Sequence, residues 1–414
     1  MTPLMLLLVV FLLGYLATHL FITRLRKSQY LFIGIEYIIA GILINPGFTN
    51  KINSILGVKI PILLNTNIIY QIKPGVLLVL GFYGLIAGLK FKLKNLSVSD
   101  KSDWLLSFYE IFFSFVVLGV LTFIPLFYFF YNGVNLTYLL SGAYLLAIAS
   151  SVNSHSFIKS ISEKLNLVGP LSKLFFNSSF ITFNFGILIY GFLYAIFRVE
   201  NNVVFSFTQI EWVVLSLFFA AIMGLLFFLF LGNEKDENKI YVALIGIVLF
   251  SVGVAFLLKL SPIYITFIIG AILTNVSKIS DEILKVFEKI YQPISVLIVI
   301  FAGIFWIPTP FTYFFAVAIL FALLRFSSKM IAGYFTYSSI KGEKDIPVLS
   351  GYALQSTDIL LCGMAIEYHF LYPSPIVPYV VTAVLSSVII FNIYGFIKTK
   401  NFLIDFDDIK SKTL

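Results

Sequence analysis

Thirteen apolar stretches of about 15 to 27 residues follow one another along the chain, and no other feature constrains its fold as strongly. A helix that crosses a bilayer needs roughly 20 apolar residues. Its backbone polar groups must be satisfied within the membrane, so such a chain folds as a bundle of spanning helices. Of the 414 residues, 60% are hydrophobic and 12% charged, against roughly 25% charged in soluble domains. The spans are placed at 3–23, 31–45, 74–90, 103–129, 135–150, 171–196, 208–231, 240–258, 261–276, 291–306, 311–330, 346–369 and 375–397. An all-α polytopic membrane protein is expected, with one transmembrane domain over 1–400 and a short cytoplasmic tail over 401–414.

The net charge of +8 is distributed unevenly. Most of the 28 lysines and arginines fall on alternate loops and span ends, among them Arg24, Arg26, Lys27, Lys90, Lys92, Lys94, Lys235, Lys239, Lys398 and Lys400. Basic loops stay on the cytoplasmic side. The protein is therefore expected as a multi-pass protein of the cell membrane, with its N-terminus outside and its C-terminus cytoplasmic. This accounts for the basic balance without a nucleic-acid partner. The first apolar run has no basic segment before it and no clear small-residue cleavage site after it, and it reads as an uncleaved helix.

Composition also excludes several chemistries. The single cysteine, Cys362, lies in an apolar run, which rules out a disulfide framework or a thiolate metal cluster. His19, His155 and His369 stand far apart and in no zinc-binding spacing. No combination of nucleophile, base and oxyanion donors emerges, so neither an enzyme nor a cofactor is expected. The excess of phenylalanine over tryptophan, 46 against 3, reads as lipid-facing and interhelical packing.

Two spans are interrupted by polar runs. SGAYLLAIASSVNSHSF places Ser150, Ser151, Asn153, Ser154 and His155 after an apolar helix, and PVLSGYALQSTDILLCGMAIEYH places Gln355, Ser356, Thr357 and Asp358 inside one. Polar groups at membrane depth must be satisfied or hydrated. Two such interruptions in separated halves match a transporter built from repeats, whose broken helices meet near the midplane. Both also read as helix ends, with Asp358 capping a break through its own side chain.

Among the carboxylates, Glu211 beside Trp212 and Glu367 beside His369 are expected at the headgroup level. Glu36 in LFIGIEYIIAGIL and Glu110 in LLSFYEIFFSFVV lie deeper. Each is either a silent protonated acid or a proton-linked group. Asp358, with the oxygens of Gln355, Ser356 and Thr357 beside it, is the foremost ion or proton candidate. Arg325 and Lys329 share a helix face four residues apart and would repel. Lys329 is expected to snorkel to the interface, and Arg325 either to snorkel or to pair with Asp358 or another carboxylate.

These segments resemble the Kef-type and related monovalent cation:proton antiporters. YIIAGILINPGF is similar to an early helix of that family, PGVLLVLGFYGLIAGLKFKLKNL to the helix and basic turn that follow, and YLLAIASSVNS to its first broken helix. ITFIIGAILTNVS and RFSSKMIAGYF match later landmarks, and together these cover almost the whole transmembrane portion. The resemblance implies thirteen helices in two inverted repeats with two broken crossing helices, a core domain moving against a dimerisation domain, and usually a homodimer. The family's Ser-Thr stretch falls on Ser150, Ser151 and Asn153, its second break on Gln355 to Asp358, and its basic residue on Arg325, with Lys329 as the fallback. The chain lacks the arginine-glycine-glutamate run that many relatives carry at the second break. In the sixth span, SSFITFNFGILIYGF, the family carries one or two acids; Thr182, Phe183 and Asn184 stand there instead, with no carboxylate in the span. The chain also ends at Leu414, with the tail IDFDDIKSKTL where many Kef-type relatives carry a nucleotide-binding domain.

Two functions follow as expectations. One is exchange of protons for Na+ or K+ by alternating access, with the central acid replaced by Asp358, Glu110 or Glu36. The other is a transport-inactive antiporter-like scaffold or sensor within a membrane complex.

Overall fold

The computed structural model describes residues 34–57, 71–167, 169–198, 207–231, 234, 236–277, 280–340 and 350–406. The expected span 3–23, Arg24, Arg26, Lys27, Lys235 and the tail past Phe406 lie outside these residues. In chain order the helices are α1 Ile35–Ile44, α2 Pro46–Leu56, α3 Lys73–Leu89, α4 Leu93–Ser97 and α5, which runs Lys101–Phe130. They continue with α6 Leu136–Ser151, α7 His155–Leu165, α8 Pro170–Ile196, α9 Gln209–Leu231, α10 Glu237–Leu257, α11 Pro262–Val276 and α12 Ser280–Ile304. The last are α13 Phe311–Ser339, α14 Ser350–Ala353, α15 Leu360–Leu371 and α16 Val377–Phe406.

Among the described residues, 7 helical segments are long and apolar enough to cross a membrane, and shorter apolar helices accompany them. The fold is that of a multi-pass membrane protein. Large apolar side chains such as Phe218, Leu229 and Phe230 on α9 and Val242 and Leu257 on α10 are exposed, as a lipid solvent allows. The last helix runs on to Phe406, past the position 400 at which the tail was expected to start.

The chain divides into two compact units. The first comprises Met1–Leu93, Tyr190–Pro308 and Cys362–Pro373, and holds α1, α3 and α9 to α12. Its helices approach through glycine. A Cβ on Gly88 would run into the Phe267 carbonyl oxygen, one on Gly270 into that of Leu85, and one on Gly303 into that of Ile38. Lipid supplies no hydrophobic drive for helices to associate, so close backbone packing at small residues takes its place. At the end of α1, Asn45 donates through Nδ2 to the carbonyls of Gly303 at 3.3 Å and Ile304 at 2.7 Å. These belong to the last turn of α12, whose carbonyls otherwise have no partner within the helix.

The second unit comprises Lys94–Ile189, Thr309–Leu361 and Ser374–Leu414. Its core at one end gathers Ile158, Leu171, Phe175, Leu354 and Leu403. Two local features shape its interior. Residues Ser114–Gly119 of α5 form a π-helical turn, a rare geometry that often accompanies functional sites. Helix α6 stops at Ser151, where Val152 turns extended at φ −71° and ψ 126°, and α7 starts at His155. A second non-helical stretch separates Ala353 from Leu360.

The glycine crossings give a direct test. Gly88→Ala and Gly270→Ala force backbone apart and are each expected to destabilise by about 1–3 kcal/mol, read as a lower unfolding midpoint in detergent. Gly246→Ala meets open space and is expected to leave the midpoint unchanged or raise it.

Candidate functional site

Two cations converge on the break after α6, in the second unit. Arg325 and Lys329, one helical turn apart on α13, are both fully buried. Lys329 Nζ donates to Glu110 Oε1 at 3.0 Å, to the Ser151 carbonyl at 2.9 Å and to Asn153 Oδ1 at 2.9 Å. Asn153 turns its Nδ2 to both oxygens of Glu110 at 3.0 Å. Glu110 is 1% exposed, so the ion pair is dry. Arg325 donates to the carbonyls of Ala149, Val152 (3.2 Å) and Ser356 (3.4 Å). The last carbonyls of α6 lack intrahelical partners and carry its negative dipole end, which is where cations are favoured.

The expected snorkelling of Lys329 is thus overturned, and so is the pairing of Arg325 with a carboxylate. Snorkelling is the behaviour of a cation whose helix faces lipid; here the break presents carbonyls and a carboxylate at depth. Mutual repulsion between the two cations is offset because each faces its own set of oxygens.

The acidic partner of the second break serves another purpose. Asp358 Oδ1 accepts from the Leu360 N–H at 3.0 Å and caps α15, while Oδ2 accepts from Ser154 Oγ at 2.8 Å. Ser154 also caps α7 through the Phe157 N–H at 3.4 Å. The two breaks are therefore joined by a hydrogen bond between their caps. Thr357 Oγ1 donates to Asn392 Oδ1 at 3.0 Å, and Gln355 Nε2 to the Gly351 carbonyl at 3.0 Å. Gln355 Oε1 and Ser356 Oγ are buried without a protein partner.

In α8, where Thr182, Phe183 and Asn184 stand, the polar groups turn back on their own helix. Thr182 Oγ1 donates to the Ser179 carbonyl at 3.2 Å and Asn184 Nδ2 to that of Phe180 at 2.7 Å. The Phe183 ring lies 4.9 Å from that of His155. Glu36 is half-buried on α1, in the other unit, and accepts from the Gly34 N–H at 3.5 Å. Within the second unit the structure thus gathers Glu110, Ser151, Asn153, Arg325, Lys329, Ser356 and Asp358 around the breaks.

Sequence reading missed two roles. Ser154 links the breaks, and its signal was a serine immediately before a helical run, as an N-cap requires. Glu367 is fully buried within the protein, and accepts from Ser261 Oγ at 2.6 Å and the Ile263 N–H at 2.9 Å. The restart of α15 at Leu360 carries it inside the first unit, where it caps α11.

No protein-family profile matches the sequence, and no curated protein matches it. Solved structures do. The sodium proton antiporter MjNhaP1 from Methanocaldococcus jannaschii at pH 8 aligns over 97% of this chain and 98% of its own, with a TM-score of 0.68 at 11% identity. Its electron-microscopy structure gives a TM-score of 0.65 at the same identity and coverage. The chain shares the fold of this sodium proton antiporter. At 11% identity the likeness is one of backbone alone, so the chemistry rests on the side chains above. Among the described residues no group of three or more His, Cys, Asp or Glu is placed to hold a metal.

Removing one partner of a buried ion pair costs about 3–5 kcal/mol, whereas replacing both by apolar groups is often neutral. Glu110→Ala and Lys329→Met alone are therefore expected to lower the unfolding midpoint sharply, and the double variant to recover most of the loss. Single variants as stable as the wild type would contradict the pairing.

Proposed function

We propose that the protein exchanges protons for a monovalent cation, Na+ or K+, at Glu110. The observation that carries this reading is the set of oxygens around Lys329 Nζ: a carboxylate, a side-chain amide and a backbone carbonyl. Such hard oxygen donors are the ligands that hard cations take. The ammonium occupies the place a metal cation would fill. When Lys329 releases its proton and withdraws, a cation takes its place on the same oxygens, and the charge beside Glu110 is unchanged. Proton and cation thus exclude one another, which is the coupling an exchanger needs. One proton leaves for each cation that enters, so the exchange is electroneutral.

In this reading Glu110 and Lys329 take over from the acid absent from α8. Asp358 is a positioning residue that holds the second break, and Arg325 is a fixed counter-charge to the end of α6. The backbone likeness to a sodium proton antiporter supports alternating access by the same fold. The finer expectations belong to the same proposal: thirteen spans in inverted repeats with crossing breaks, a Kef-type affinity, an outside N-terminus, a cytoplasmic C-terminus and a homodimer. A second reading, an antiporter-like scaffold without turnover, is favoured by one observation, the self-contained bonding of Thr182 and Asn184.

Flux in sealed proteoliposomes, followed with an internal pH dye under Na+ or K+ gradients, separates the two. Cation-dependent proton flux is expected in the wild type and in Asp358→Asn, which keeps the cap, and is expected to fall to the level of empty vesicles in Glu110→Gln. An imposed membrane potential is expected to leave the rate unchanged. Absence of flux in folded wild-type protein would establish the scaffold reading instead.

A further inference from the structure

The exchange at Glu110 makes no use of a second fully buried glutamate. Glu367, in the first unit, is 0% exposed. Among the described residues no lysine, arginine or histidine forms an ion pair with it. Glu110, by contrast, has Lys329. An ionised carboxylate buried without a cation is costly, and hydrogen bonds offset only part of that cost. A bound proton removes the charge altogether.

The surroundings of Glu367 suit a group that holds either form. As a carboxylate it accepts from the Ser261 hydroxyl at 2.6 Å and from the Ile263 N–H at 2.9 Å, at the first turn of α11. Ser261 Oγ also accepts from the Tyr264 N–H at 3.1 Å. With a proton on Oε2, the short contact to Ser261 reverses direction, Glu367 donating and Ser261 Oγ accepting, while Oε1 keeps the Ile263 N–H. No heavy atom has to move. On the other side stands a line of hydroxyls. Tyr190 donates to the Met364 carbonyl at 3.1 Å, one turn before Glu367 on α15, and its oxygen lies 2.6 Å from that of Tyr194. The ring of Tyr372, just past the end of α15, lies 5.5 Å from that of Tyr194, and the ring of Tyr368 lies 5.0 Å from that of Tyr372. The hydroxyl and the N–H that meet the carboxyl group both come from the start of α11, and neither supplies a positive charge.

We propose that Glu367, with Ser261 and the Tyr190–Tyr194 hydroxyl pair, is a second proton-binding site of the chain, separate from the exchange site at Glu110. Its ligand is the proton alone. Both oxygens already serve the start of α11, which leaves neither free to ligate a metal cation. The proposal stands whether or not the chain transports cations.

Difference infrared spectra of the purified full chain, recorded through a pH titration, test it by the carbonyl stretch of protonated carboxyl groups. A titrating acid band is expected in the wild type, retained in Glu110→Gln, lost in Glu367→Gln, and moved to higher frequency in Ser261→Ala as its hydrogen bond disappears. The same band set in wild type, Glu367→Gln and Ser261→Ala would overturn the proposal. If Glu367→Gln does not fold, Ser261→Ala and Tyr190→Phe decide: a displaced band supports the site, and an unmoved spectrum in both refutes it.

Discussion

The buried pair of Glu110 and Lys329 is the constraint around which the second unit is organised. Two opposite charges 3.0 Å apart in a dry interior attract strongly, yet removing both from water costs several kcal/mol each. Their attraction offsets that cost only if the remaining donors and acceptors are also satisfied. Asn153 and the Ser151 carbonyl meet this requirement, and they are placed to do so because α6 stops at Ser151. An unbroken helix would have used that carbonyl for itself. The break and the ion pair therefore depend on each other.

The same logic extends to the ends of the interrupted helices. A helix ends with partial negative charge and begins with partial positive charge. Arg325 meets the first kind at Ala149 and Val152, and Asp358 meets the second kind at Leu360. The hydrogen bond between Ser154 and Asp358 then ties one break to the other. What would be a liability in lipid, backbone without helical partners, becomes a polar site held by charged side chains. In the exchange proposed above, proton release from Lys329 would loosen one member of this arrangement while Arg325 and Asp358 keep the bonds that hold the two breaks.

Much of this was legible in the sequence because hydropathy reports burial in lipid directly. The apolar helical segments, both interruptions and the missing acid in α8 were all visible in the pattern of apolar and polar residues. The pairing of Glu110 with Lys329 was not, since 219 residues separate them and a single charge in a span carries no record of its partner. Lys329 was misplaced by treating α13 as an isolated helix near its cytoplasmic end. The burial of Glu367 was not legible because the expected span ended beside it, whereas α15 restarts at Leu360 and brings that turn to Ser261. Asp358 stood out for its oxygen-rich neighbours, and the structure turns its carboxylate to helix capping.

The central claim is that proton and cation compete for the oxygens around Glu110. Its most direct measurement is proton release on cation binding: Na+ or K+ is added to the solubilised protein in weakly buffered solution, and the pH is followed with a dye. The account expects a saturable release of about one proton per bound cation, abolished in Glu110→Gln and in Lys329→Met. Saturable cation binding with no proton release, or release that survives both substitutions, would contradict it.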